Sequence, residues 1–220
     1  MHYGKLFTNI KEMAANCPVR NYMDDQNIQW KEGKPDYTQV NEKYLKERSR
    51  KHPVDSIEKL VENLVKTWEM ESSHKKREKD WQSVERDTFR ISVNGGRQFT
   101  LKDNIEIGNY NILMWDSPLY QAKEETNISS HKLFRQAMPG GFAWEVLEVF
   151  SGPPKVSFTW RHWGKWEGKY KDSDPTGEDL ELTGSCVAVV NGDLKIVSIE
   201  VFYDPNPMIA KLMKVKKCPM

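Results

Sequence analysis

At 220 residues, with 33 Lys plus Arg against 32 Asp plus Glu and a formal net charge of +1, the chain suits one domain with a substantial core and lacks the concentrated positive footprint that nucleic acid or an anionic membrane requires. No apolar run approaches the roughly 20 residues that span a bilayer, and Met1 to Leu6 has no signal-like apolar stretch, so a cytoplasmic protein is expected. Three cysteines, Cys17, Cys186 and Cys218, without CxxC spacing, point to neither a disulfide framework nor a zinc site.

In chain order, residues 1–26 show weak periodicity and read as an N-terminal extension. Trp30 to Tyr37 is a turn-rich arm with two aromatic rings, and Val40 to Arg50 is helix-like. Pro53 stops anything earlier, Asp55 or Ser56 suits an N-cap, and Ile57, Leu60, Val61, Leu64 and Trp68 then recur at helical spacing. This is the clearest helix of the chain, and its apolar face is the natural cover for a sheet. Continuing that face reaches Glu71, with Ser72 and His74 at its border. Phe89 to Val93 and Gln98 to Leu101 around Asn94-Gly95-Gly96 form a strand or hairpin, Leu101 to Trp115 a second helix, and Pro118 to Ser130 a loop. His131 to Met138 is a short helix or strand entry, and Phe142 to Phe150 a strand.

The stretch from Lys155 to Asp204 holds most of the strand signal. Val156, Phe158, Trp160 and His162 share one face by strand parity, while Ser157, Thr159, Arg161 and Trp163 share the other. The apolar face thus ends in a histidine. Leu180 to Val190 and Leu194 to Tyr203 are two further strands, with Asn191-Gly192 suited to the hairpin between them. Helices followed by antiparallel strands argue an α+β fold: a bent sheet wrapped on a long helix, making a cone with an inner cavity. A basic tail, residues 211–220, closes the chain.

Lys66-Thr67-Trp68-Glu69-Met70-Glu71 with His74-Lys75, Gly141-Phe142-Ala143 with Glu145 to Val149, Arg161-His162-Trp163-Gly164 with Glu167-Gly168, and Trp30, Gly33, Pro35 and Tyr37 resemble the plant pathogen-related protein family, over about 27–204. More broadly, His162-x-Gly164, Gly168, Pro175-Thr176-Gly177, Gly184, Lys195-Ile196 and Phe202-Tyr203-Asp204 are similar to SnoaL-like polyketide cyclases of the nuclear transport factor 2-like superfamily. The resemblance implies an α+β cone domain over 27–210 with an apolar cavity, a homodimer through the outer sheet face, and no cofactor. It also implies a late aspartate serving as general acid/base, matched in position by Asp204. By parity Asp204 faces opposite to Tyr203 and Val201 unless the strand ends or bulges first.

The residues themselves offer other groups for proton transfer. His162 has an ordinary pKa near neutrality and sits on an apolar strand face. Glu148 shares a face with Phe142, Trp144, Val146 and Phe150, and burial there would raise its carboxyl toward a general acid's range. An outward face meeting a partner subunit explains Glu148 equally well. Glu69 and Glu71 read as a solvated helix flank paired with Lys66 or Lys75, or, for Glu71, as pocket lining. Tyr203 suits a substrate oxygen, and Trp68, Trp160 and Trp163 suit an aromatic pocket wall or plain core. No GxGxxG, P-loop, GxSxG elbow or metal-ligand histidine spacing is present, so neither cofactor nor metal is expected. The expected function is cofactor-independent cyclisation or isomerisation of a small hydrophobic, polyketide-like or terpenoid-like molecule, with His162, Glu148 and Asp204 as candidate catalytic residues. The alternative is non-catalytic binding of such a molecule in the same cavity.

Overall fold

The computed structural model describes residues 16–214. Readings that concern residues 1–15 and 215–220, Cys218 included, lie outside the described residues. Helix α1 spans Thr38–Glu47 and α2 Ile57–His74. The Ser56 side chain accepts from the Lys59 backbone N–H, so α2 starts at the predicted cap. Its inward stripe is Val61, Leu64, Val65 and Trp68. Leu60, expected on that face, is 41% exposed; it stands one residue, about 100° of helix turn, before Val61, and Val65 takes the inward place.

Strands β1 (Arg90–Val93) and β2 (Phe99–Thr100) form the expected hairpin. The single helix expected next is two, α3 (Leu101–Ile107) and α4 (Asn109–Met114), because Gly108 breaks it at φ +91°. A Cβ at Gly108 would lie 2.8 Å from Asn127, so the break also seats the next element. Within the stretch read as a loop, Thr126 and Ser129 form a reciprocal capping box that opens α5, Asn127–Ala137.

Strands β3 (Ala143–Ser151), β4 (Lys155–Lys165), β5 (Asp179–Val190) and β6 (Ile196–Tyr203) follow, then α6 (Asn206–Leu212). The fold is α+β, as expected. The sheet has the order β2-β1-β6-β5-β4-β3 and is mixed rather than antiparallel throughout, since β1 runs parallel to β6. The β5–β6 turn is longer than an Asn-Gly hairpin. Asn191 Oδ1 accepts from the backbone N–H of Asp193 and Lys195, and Leu194 carries the positive φ of 58°.

The parity read along β4 holds. Val156, Phe158, Trp160 and His162 face α2, while Trp163 faces away and packs under α1 against Tyr44 and Ala143. In β3 the parity breaks: Val146 pairs with Trp160 but Glu148 pairs with Thr159, so a bulge puts two residues opposite one and turns Glu148 outward.

A buried carboxylate fastens α1 to the sheet's outer face. Glu145, 1% exposed, accepts from the Ser49 N–H at 2.8 Å, the Ser49 hydroxyl at 2.9 Å, the Arg50 N–H at 3.1 Å and the Arg161 guanidinium at 2.9 Å. Glu145→Ala strands these donors in a buried site. It is expected to lower stability by about 3 kcal/mol, measured as a denaturant midpoint shift at constant slope.

Candidate functional site

Between α2 and the concave sheet face lies a cavity of about 540 Å³. Its floor is apolar, built from Phe158, Leu182, Cys186, Ala188, Ile199 and Val201, all inward by strand parity. Trp160 lies flat across the neighbouring strand because its register partner is Gly184, where a Cβ would stand 2.5 Å from the indole. The short side chains of Cys186 and Ala188 leave the space open. Burial pushes the Cys186 thiol up, so it behaves as a small neutral wall group.

The opposite end is polar and centred on α2. Lys66 and Glu69, one turn apart, form an ion pair whose cation is buried. The Glu69 side chain lies deep in the molecule yet is 36% exposed, because the cavity itself reaches it. Burial alone would raise its carboxyl; Lys66, followed by Arg20, overrides that and holds it at about 2. His162 stacks on Phe142 with ring centroids 3.6 Å apart, and its Nε2 lies 3.3 Å from the Phe142 carbonyl oxygen. A carbonyl only accepts, so Nε2 carries the proton and Nδ1 keeps a lone pair. Burial, then Lys66, pulls its pKa down to about 3.

His131 and His74 are likewise held at about 4, chiefly by burial. His131 Nδ1 donates to the Asn127 carbonyl at 2.8 Å, and its buried Nε2 has no hydrogen-bond partner. Tyr37, Tyr110 and Tyr203 are protonated phenols, each pushed up by burial. Near pH 7 this end therefore presents the ionised Glu69 beside neutral imidazoles and neutral phenols. It is a hydrogen-bonding surface with fixed charge.

Of the residues singled out in the sequence, Trp68, Trp160, His162 and Tyr203 line the cavity. Tyr203 is already committed, its hydroxyl donating to the Leu113 carbonyl at 2.7 Å. Four do not line it. Glu148 is turned to solvent by the bulge. Asp204 falls just past the end of β6, exposed, where its Oδ1 accepts from the backbone and side-chain nitrogens of Asn206. Trp163 is on the outer face, donating to Glu47 at 2.9 Å. Glu71 is fully buried, but against the segment after α2: it pairs with Lys75 at 2.9 Å and accepts from the Gln82 and Ser83 N–H groups. The sequence reading passed over Arg20, Tyr37, Tyr110 and His131, and left Glu69 as a solvated flank. Its pairing with Lys66 is found, but the flank borders the cavity.

The chain is 35% identical over 192 residues to the pathogen-related protein of Hordeum vulgare, covering 84% of this chain and 82% of that relative. It belongs to the pathogen-related protein family. No family model matches the chain. Among solved structures it is similar to a candidate SnoaL-like polyketide cyclase from Jannaschia sp. CCS1 (12% identity, 61% of this chain and 77% of that one, TM-score 0.36). It is also similar to a protein with a ketosteroid isomerase-like fold from Catenulispora acidiphila solved with trimethylamine (11% identity, 71% and 97%, TM-score 0.40). Among the described residues no cluster of three or more His, Cys, Asp or Glu is placed to hold a metal ion, and no helix is long and apolar enough to cross a membrane.

The buried histidines make stability depend on pH. Their folded pKa values, about 3 to 4, lie below the ordinary 6.5, so the unfolded chain binds more protons between those limits and stability falls as pH drops from 6.5 toward 4. Glu69, depressed to about 2, adds a further loss below the ordinary carboxylate value. Denaturant midpoints at pH 7, 5.5 and 4.5 are expected to fall in that order, and His162→Gln should flatten the decline. A midpoint independent of pH across that range would refute the neutral assignment.

Proposed function

We propose that this pathogen-related protein binds one small, largely apolar molecule between α2 and β4–β6, with the molecule's polar end toward Glu69, Tyr110 and His162. The observation that carries the reading is the pairing of a wide apolar floor with a polar end whose imidazoles and phenols stay neutral and whose Glu69 stays ionised near neutrality. A volume of about 540 Å³ is within the usual range for small-molecule sites, roughly 300–1,000 Å³. Fixed dipoles and a fixed ion pair orient a ligand without needing to exchange protons with it.

A second reading, cofactor-free cyclisation or isomerisation, is favoured by one feature. The His162 Nδ1 lone pair belongs to the same polar end as an ionised carboxylate and a buried ammonium, a combination able to move a proton between two points of a bound molecule. With a pKa of about 3, His162 is a weak base for that task, so binding ranks first. Polyketide-like or terpenoid-like molecules fit either reading. We also place any homodimer contact on the outer face of β5 and β6, where Phe202 is 38% exposed, because α1 covers the outer face at β3 and β4; a single-chain mass in sedimentation velocity would remove it.

Native mass spectra after incubation with a lipophilic metabolite fraction test the binding reading. Wild type is expected to retain a bound mass. Ala188→Trp, which fills the floor, should cut the retained fraction at least about tenfold, with Val201→Phe as a second filling variant should the first not fold. Equal retention by folded filling variants and wild type would exclude the cavity as the site. Conversion of the retained molecule by wild type but not by His162→Ala would establish the second reading over the first.

A further inference from the structure

Among the described residues, the mouth of the cavity carries one guanidinium, that of Arg20, with no carboxylate in contact. Lys34 pairs with Asp24 at 2.8 Å, Arg135 with Glu32 at 3.4 Å, and Lys66 with Glu69. Asp36 is occupied by the Thr38 N–H and hydroxyl at 2.9 and 2.6 Å. Arg20 lines the same mouth, yet among the described residues no carboxylate lies within 4 Å of its guanidinium. Glu69 is near enough to feel its charge but is in contact with Lys66.

The placement of Arg20 is built rather than incidental. On either side of it the backbone is tied to α2, the Val19 N–H donating to Asn63 at 2.8 Å and the Asn21 N–H to Thr67 at 3.1 Å. The guanidinium lies over the Tyr37 ring, 3.7 Å from its centroid, and one terminal nitrogen donates to Asn41 at 3.0 Å. Its Nε is buried with no hydrogen-bond partner. A stacked, half-buried guanidinium whose charge meets no carboxylate is pre-organised for an anionic acceptor. Lys66 and Glu69 are in contact with one another and Asp36 is held by Thr38, so among the described residues the Arg20 guanidinium meets no carboxylate at the polar end.

Resting on the reading of the cavity as a small-molecule site, we infer that Arg20 recognises the polar end of the ligand and that the cavity takes lipophilic carboxylic acids. The carboxylate meets Arg20 at the mouth, and the apolar body lies against Phe158, Leu182 and Val201. A neutral alcohol would leave the guanidinium charge unanswered, and an amine would be repelled by it.

The test uses three probes with one chain, decanoate, decanol and decylamine, each titrated below its micelle concentration while the emission of Trp68, Trp144 and Trp160 in the cavity wall is followed. Decanoate is expected to bind about tenfold or more tighter than decanol, as a charge-assisted contact implies. Arg20→Gln should bring that ratio toward one, and Arg20→Lys should keep part of it, both variants being checked for folding by thermal melting. Equal affinity of wild type for acid and alcohol, or an unchanged ratio in Arg20→Gln, overturns the assignment of Arg20 while leaving the cavity as a binding site. Preferential binding of decylamine overturns it in favour of Glu69. If none of the three binds, the small-molecule reading fails and this inference fails with it.

Discussion

The Lys66–Glu69 ion pair is the interaction on which the character of this interior depends. Taking both charges out of bulk water costs more than their attraction returns unless further contacts share the load. Here the carboxylate keeps its exposure to the cavity while the ammonium is enclosed over the Trp144 ring, 5.7 Å from its centroid. The pair is therefore stable only at a boundary between core and hollow. It fixes where that boundary falls along α2, two thirds of the way down the helix.

Everything on the sheet side follows from leaving that hollow unfilled. A wall of Trp68, Trp144 and Trp160 stands around short side chains at Cys186 and Ala188, with Trp144 edge-on to Phe158 and Trp160 edge-on to Tyr203. Empty volume forfeits dispersion contacts, and the loss is offset away from the cavity. On the outer face, Glu145 gathers Ser49, Arg50 and Arg161. Beside α1, Tyr44 and Lys59 satisfy the buried Glu62 at 2.7 and 2.9 Å. At the end of α2, Glu71 and Lys75 tie down the segment through Ser83. These three buried carboxylates are structural, and none of them lines the cavity.

The α+β order, the start of α2 and the inward face of β4 were legible because each rests on a local rule: a cap, a helical stripe, a strand parity. The family was legible from motifs such as Arg161-His162-Trp163-Gly164. Where the sequence reading failed, a single residue overrode the pattern around it. One bulged position sends Glu148 outward, and Gly108 splits a helix whose apolar spacing looked continuous. The site was half legible. His162, Trp160, Trp68 and Tyr203 followed from faces within one element. Arg20, Tyr37 and Tyr110 did not, because they reach the cavity from separate segments brought together only by the fold. Glu69 was hidden for another reason: a helix covered on more than one side has no solvated flank, and nothing local in the sequence announces the second cover.

That this interior is hollow, and that apolar matter enters it, is the claim from which the rest descends. Diffraction from crystals of the protein held under xenon pressure tests it most directly, since xenon occupies dry apolar cavities without needing a chosen ligand. The account predicts xenon density against Phe158, Leu182 and Val201, between α2 and β4–β6, with the surrounding side chains unmoved. Side chains found collapsed into that space, with no xenon among them, would contradict it.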